Sequence, residues 1–453
     1  MRTIRDHGTG TTCTPFLLAA LLAALLLPVH AGAAAAGTCH QETVPAATLL
    51  LPYFELDTYD PNGLTTLFSI NNASAVAVLA HVAIWSDLGV PILNFNVYLT
   101  GYDVQTINLR DVIIYGQLPQ TASAGQDPGD VISPKGSFSQ DIAFASCQGQ
   151  LPPPPLSASA LSSIQRALTG LSSPMLKDLC AGQAIGDLIA RGYITVDTVS
   201  DCTVRFPGDA GYFGPTKSAD ATDQNVLWGS WYIINAAQGY AQGSDMVAVV
   251  ADATSPETTT PGSYTFYGRY VGWSAADHRA PLATTFAAQF ASGGPFDAGT
   301  DLLIWRDTKF AQGPFSCPPG FQNPAWYPLG QEALVVFDEQ EHPQVPPVCP
   351  FGSGSQPSVT PYQCPPLQSV MIAPAAAQRT RVGGAYFPVP FTFGWVFLDF
   401  NWSDYPTVGP NPPADPAAAQ AWVIATQSSR SHFAVALDAY RLDSACSANH
   451  FAP

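Results

Sequence analysis

Ala75-Val76-Ala77-Val78-Leu79-Ala80-His81-Val82-Ala83-Ile84-Trp85 is the stretch on which the fold turns. In an extended chain alternate side chains point to opposite faces. Here both faces are apolar, with Val76, Val78, Val82 and Ile84 on one and Leu79, Ala83 and Trp85 on the other. Such a run predicts a strand in the middle of a packed sheet. Asp87-Leu88-Gly89 then predicts the turn of a hairpin. Upstream, Asp60-Pro61-Asn62-Gly63 predicts another, proline presetting φ and glycine supplying a positive one.

Outward from this stretch, short runs of Val, Ile, Phe, Tyr and Trp alternate with Gly, Pro, Asn and Asp clusters, the punctuation of an all-β protein. Two segments read as helical. Ser157–Leu171 places Leu161, Ile164, Leu168 and Leu171 at helical spacing, and Pro174–Ile189 opens with a Ser173-Pro174 cap.

Several segments recur in order. Leu64–Phe68 and Ile84–Asp87 resemble Leu282–Phe286 and Ile304–Asp307. Gly192–Asp197 resembles Gly394–Asp399, Trp231–Ile233 resembles Trp422–Ile424, and Val247–Ala253 resembles Phe433–Ala439. Colinear likeness of this kind predicts an internal duplication. The expectation is two tandem β-sandwich domains, jelly-roll or immunoglobulin-like, at 37–255 and 256–453, the first carrying a short helical insertion near 157–190. A β-sandwich fits in about 100 residues or more, so each copy is long enough.

Residues 1–36 read as a signal peptide: Arg2 and Arg5, an apolar run from Phe16 to Leu27, then small residues. That run is shorter than the roughly 20 apolar residues of a membrane span. The chain is therefore expected to be secreted or periplasmic, with no membrane insertion. A formal charge of −17 repels phosphate backbones, so no nucleic-acid partner is expected. Charged residues are only 11% of the chain, which leaves room for extensive covered surface.

Cys13 belongs to the leader. The other eight cysteines, Cys39, Cys147, Cys180, Cys202, Cys317, Cys349, Cys364 and Cys446, form an even set without any Cys-x-x-Cys and read as disulfides. Four fall in each half, so bridges within each copy are expected, with Cys147 to Cys180 and Cys349 to Cys364 as equivalents.

Chemistry is sparsely marked. His40, His81, His278, His342, His432 and His450 form no metal-binding spacing, and no nucleophile elbow or phosphate-cradling loop occurs. Neither a metal nor a cofactor is expected. Asp87, Asp307, Asp197, Asp399, Asp252 and Asp438 end strands, where turn capping is a simpler role than calcium binding. Asp57, Asp60 and Asn62 lack the closing glutamate of an EF-hand loop. Asp338-Glu339-Gln340-Glu341-His342 reads as a solvated acidic loop. Trp85, Trp305, Trp231 and Trp422 are expected in the core. Trp326, Tyr327, Trp402 and Tyr405, in proline- or Asp-rich loops, are the candidate ligand-binding residues for an extracellular protein or glycan. The functional expectation is an exported non-enzymatic structural, adhesive or ligand-binding protein. Its rival is a secreted glycan hydrolase using an Asp/Glu pair between the two domains.

Overall fold

The computed structural model describes residues 44–120, 145–147, 150–151, 153–214, 219–261, 263–272, 276–293, 299–307, 313–317, 333–344, 375–383, 389, 391–400, 420–429 and 433–442. Residues 1–36, expected to be a signal peptide, lie outside them.

The chain is all-β and its sheets are antiparallel. It runs through β1 (Thr48–Asp57), β2 (Thr65–Asn72), β3 (Val78–Ser86), β4 (Pro91–Leu99), β5 (Val104–Asn108), α1 (Leu109–Ile113), α2 (Ala158–Leu168) and β6 (Ile189–Val199). Next come β7 (Leu227–Trp228), β8 (Ser230–Asn235), β9 (Tyr240–Asp245), β10 (Val247–Val249) and α3 (Pro256–Thr259). The second series is β11 (Thr285–Ala291), β12 (Gly299–Arg306), β13 (Ala333–Asp338), β14 (Pro343–Gln344) and β15 (Ala377–Arg381). It ends with β16 (Phe393–Asp399), β17 (Ala421–Ser429), β18 (Phe433–Asp438) and β19 (Tyr440–Arg441).

Sheet one has the order β10-β1-β6-β3-β4, and sheet two the order β5-β2-β8-β9 with β7 beside β2. Leu49, Leu51, Val82 and Ile84 of sheet one share a core with Phe68, Ile70 and Ile233 of sheet two, so the pair is a sandwich. Sheets three (β14-β13-β16-β11-β19) and four (β15-β12-β17-β18) form another, closed over Phe290, Val336 and Leu398 from one side and Leu302, Ile304 and Val423 from the other.

Taken in chain order, the strands of the two sandwiches correspond one to one, with β7 and β8 together opposite β17. Register agrees as well. Thr48 faces Asp197 and Phe54 faces Gly192 across β1 and β6, while Thr285 faces Asp399 and Phe290 faces Gly394 across β11 and β16. The Thr66 hydroxyl bridges the backbone N and O of Glu55 at 3.1 and 2.9 Å, and Thr300 does the same to Ala291 at 2.9 Å each. After Trp85 and after Phe337 the hairpins have equal length, each reaching a proline, Pro91 or Pro343. Gly89 and Glu341 hold the same left-handed position, at φ 80 and 64. Glycine adopts that region without penalty, whereas an L side chain there costs about 1 kcal/mol.

This register corrects most of the likenesses read from sequence. Gly192–Asp197 and Gly394–Asp399 do lie on corresponding strands. Leu64–Phe68 lies on or beside β2, but Leu282–Phe286 runs into β11, the counterpart of β1. Ile84–Asp87 ends β3, but Ile304–Asp307 ends β12, the counterpart of β2. Val247–Ala253 lies on β10 and Phe433–Ala439 on β18, the counterpart of β9. Trp422 is opposed by Trp305 as Trp228, not Trp231, is opposed by Asn71. Strands that share an exposure pattern draw on the same few residue types, so short likenesses slide between neighbours.

Two local expectations also change. Val76 precedes β3 and is exposed, whereas the whole of β3 is buried. The first helix forms as α2, capped by the Ser157 hydroxyl on the Ala160 amide. The second shrinks to one 3-10 turn at Pro174–Leu176, because Lys177 and Asp178 both adopt positive φ and Cys180 must extend to pair with Phe315.

Candidate functional site

Residue pairing across each sheet fixes which side chains face away from the sandwich cores. In sheet one these are Tyr53, Glu55, Trp85, Arg191, Tyr193 and Asp197; in sheet four they include Asp301, Leu303, Trp305, Arg379, Trp422 and Ile424. The two sets pack on each other: Leu303, Trp305, Trp422 and Ile424 are buried in one cluster with Tyr53, Trp85 and Tyr193. Trp85 stacks on Tyr193 at 5.7 Å, and Tyr193 meets the Trp305 ring edge-on at 5.9 Å. This seam is where the rival hydrolase would need its carboxylates.

The seam holds several carboxylates, and each has its own partners. Glu55 accepts from Tyr53 Oη at 2.7 Å and pairs with Arg379 at 2.9 Å, so its charge ties the two sandwiches together. Arg379 also reaches Asp301, at 3.4 Å. Burial raises the Tyr53 pKa far above the ordinary phenol value, and the adjacent Glu55 raises it further.

The connector after β10 supplies the rest. Arg279 lies 3.5 Å from Asp197 and 3.6 Å from Asp277, donates to Thr48 Oγ1, and sits 5.0 Å from the Phe213 ring centroid. Asp197 also accepts from Thr48 Oγ1 at 2.5 Å, Tyr212 Oη at 2.6 Å and Tyr267 Oη at 3.1 Å. Burial opposes the charge on Arg279, but Asp197 and Asp277 outweigh it and hold the guanidinium protonated above its ordinary range. Burial pushes the Asp277 carboxyl upward, against the pull of Arg279.

A second connector network surrounds Asp307, which accepts from Arg269 Nε at 2.7 Å, Gln420 Nε2 at 3.0 Å and Tyr264 Oη at 3.2 Å. Asp87 differs from these acids. Its carboxylate accepts from the Gln183 amide at 3.1 Å, and its own carbonyl accepts from the amides of Ala376 and Ala377. Burial raises its pKa to about 7.

A catalytic acid or base must reach the substrate proton directly or through one water. Asp197, Asp277, Asp307 and Asp87 are all buried beneath packed side chains. Asp197 and Asp277 pair with Arg279 and Asp307 with Arg269, which ties the connector to the seam.

The other candidates distribute as follows. Asp57 caps the amides of Tyr59 and Asp60, Asp60 caps Asn62, and Arg110 takes the carbonyls of Asp60, Gly63 and Leu64 that a cation would need. Asp252 caps Thr254. The Asp338 loop is exposed, with His342 Nδ1 2.9 Å from Asp338. His81 is buried against Asn96, and His278 lies 2.6 Å from Asp223. Among the described residues no three His, Cys, Asp or Glu side chains gather as a metal site, and no helix is long and apolar enough to cross a membrane. Trp85, Trp231, Trp305 and Trp422 are buried, as core residues should be. Trp326, Tyr327, Trp402 and Tyr405 lie outside the described residues, as do His40, His432, His450, Cys39, Cys349, Cys364 and Cys446.

Among the described residues two disulfides are present, Cys147–Cys202 and Cys180–Cys317. They overturn the expected Cys147–Cys180 pair. Cys147 lies beside β6's exit in a small core with Val199 and Cys202, while Cys180 is drawn to Phe315 and Cys317 from the second series.

Sequence reasoning missed the connector residues Tyr264, Tyr267, Arg269, Asp277 and Arg279. One signal was available: with 17 basic residues in 453, two arginines within an aromatic-rich segment imply buried partners, not solubility. No family model, curated protein or solved structure matches the chain.

Proposed function

We propose that the chain is an exported, non-enzymatic structural, adhesive or ligand-binding protein, built from two copies of one sandwich and released by removal of residues 1–36. The observation that carries this reading is the filled seam. Its acids are committed to Arg279, Arg269 and Arg379, and its aromatic rings are packed against one another. An inverting or retaining glycosidase needs two carboxyl groups facing across a space that admits a sugar. The strand-for-strand correspondence supports a duplication, with the two copies at 37–255 and 256–453 joined by the connector. Two disulfides favour an oxidising compartment, secreted or periplasmic.

The test is turnover of a panel of soluble and insoluble glycans by the exported chain, read as new reducing ends, beside the Glu55→Gln and Asp197→Asn variants. No turnover by any of them is the expected result. Turnover abolished by either substitution would establish the hydrolase instead.

A further inference from the structure

The bridges Cys147–Cys202 and Cys180–Cys317 lie in opposite surroundings. Cys147 and Cys202 are both buried, 1% and 8% exposed, in a small core with Leu79, Tyr98, Val199 and Tyr212. Cys180 is buried too, but its partner Cys317 is exposed. Disulfide exchange begins when a thiolate reaches one of the two sulfurs, so access decides which bridge a reductant opens.

Cys180–Cys317 fastens a strap. From 174 to 186 only Cys180, Ala181 and Gly182 are buried. The ends of the strap are held independently of the bridge. The Ser173 hydroxyl donates to the Ser163 carbonyl at 2.7 Å, and Thr58 donates to the Leu188 carbonyl through both its amide and its hydroxyl. On one side the Ser86 hydroxyl donates to the Ala181 carbonyl at 2.7 Å, and the Gln183 amide to Asp87 at 3.1 Å. On the other the strap meets residues 313–317 of the second series. There the amides of Cys180 and Phe315 donate to each other's carbonyls at 2.8 and 2.9 Å. Lys177 and Asp178, just before the bridge, take φ of 56 and 62. L side chains are disfavoured in that region, by an amount comparable with the net worth of a backbone hydrogen bond. Two such residues therefore set the curl of the strap against its backbone pair with Phe315, and the sulfur bridge decides the balance.

We propose that Cys180–Cys317 is a redox latch: an external dithiol opens it while Cys147–Cys202 stays closed, and the strap then parts from residues 313–317 with both sandwiches intact. One thiolate of the dithiol attacks Cys317 Sγ and forms a mixed disulfide, while Cys180 Sγ leaves with the electron pair and takes up a proton. The Gly170 carbonyl, 3.3 Å from Cys180 Sγ, accepts from the new thiol. The second thiolate of the dithiol then attacks the reductant's own sulfur in the mixed disulfide and releases Cys317 as a thiolate. The dithiol ends as a disulfide, and its two electrons have passed to the bridge. A buried pair such as Cys147–Cys202 must open locally before the first of these steps. The latch is independent of whether the chain turns over a glycan.

The test titrates the folded, exported chain with dithiothreitol, traps free thiols with iodoacetamide, maps the labelled peptides and follows amide hydrogen exchange. Cys180 and Cys317 should be labelled at concentrations that leave Cys147 and Cys202 unlabelled. Exchange should then quicken about tenfold or more across 174–186 and at Phe315, while β1, β3 and β6 stay unchanged. Cys180→Ser with Cys317→Ser should show the same exchange pattern without reductant. Opening of Cys147–Cys202 first, or together with Cys180–Cys317, would overturn the inference. So would resistance of both bridges in the folded chain, or labelling of Cys180 and Cys317 with exchange across 174–186 unaltered.

Discussion

Arg279 lies 3.5 Å from Asp197, though 82 positions separate them in sequence and neither is exposed to solvent. The pair joins the connector to β6 in the middle of sheet one. Replacing Arg279 with Met leaves Asp197 and Asp277 buried without their cation, a change that ordinarily costs about 3–5 kcal/mol. Urea unfolding should report that loss. A double variant, Arg279→Met with Asp277→Asn, should recover part of it, because one of the two stranded charges is gone.

Asp87 gives the chain a pH dependence of known sign. Its folded pKa of about 7 stands above the ordinary 3.8, so between those values the folded chain holds a proton that the unfolded chain has released. Its contribution to stability is therefore full below about pH 4 and lost as pH rises through 7. Asp87→Asn should flatten this part of the profile. The stability difference between variant and wild type should move in favour of the variant, by a few kcal/mol, from pH 5 to pH 8 in chemical denaturation.

Gly192 and Gly394 are needed for close approach. A Cβ on Gly192 would lie 1.9 Å from the Trp85 carbonyl oxygen and 2.9 Å from the Phe54 ring, and on Gly394 1.9 Å from the Phe337 carbonyl and 3.1 Å from the Phe290 ring. Each glycine thus lets an aromatic ring from the neighbouring strand cover it. Gly192→Ala and Gly394→Ala should each destabilise by about 3 kcal/mol, since backbone must move. Gly313→Ala meets nothing within 4 Å and should leave the melting temperature unchanged.

Cys180–Cys317 closes a long loop that contains the connector. Cys180→Ala with Cys317→Ala should lower stability by about 2–4 kcal/mol. Loss of Cys147–Cys202, which spans 55 residues, should cost somewhat less on loop length alone. Denaturant titrations of the two double variants would rank them, and the reverse order would show that loop length does not govern here.

The all-β class and the hairpin turn at Asp87–Gly89 were legible because turn chemistry and apolar alternation are local; Asp60–Gly63 also turns the chain, but it carries it from β1 in sheet one to β2 in sheet two, and Gly63 does not take the expected positive φ. Trp85 and Trp305 read as core because their segments look alike; both are buried, although β3 and β12 are not counterparts. Register was not legible. Whether Trp422 answers Trp231 or Trp228 depends on which backbone groups meet across β2 and β12, and two tryptophans three residues apart give no clue. The cysteine pairing failed for want of distance information: nothing near Cys180 discloses that Phe315 will lie beside it. The seam acids were visible as residues, but their partners Arg269 and Arg279 come from a connector that reads as a loop.

The connector also sets the order in which the chain can mature. Arg279 and Tyr267 complete the hydrogen bonds of Asp197, and Trp305 and Leu303 cover the aromatic face of sheet one, so residues to position 255 cannot by themselves bury Trp85 and Tyr193. A chain synthesised N-terminus first would hold that face open until β12, and then β17 with Trp422 and Ile424, had followed. Until then its first sandwich shows apolar aromatic surface, the property that makes partly folded chains prone to aggregate.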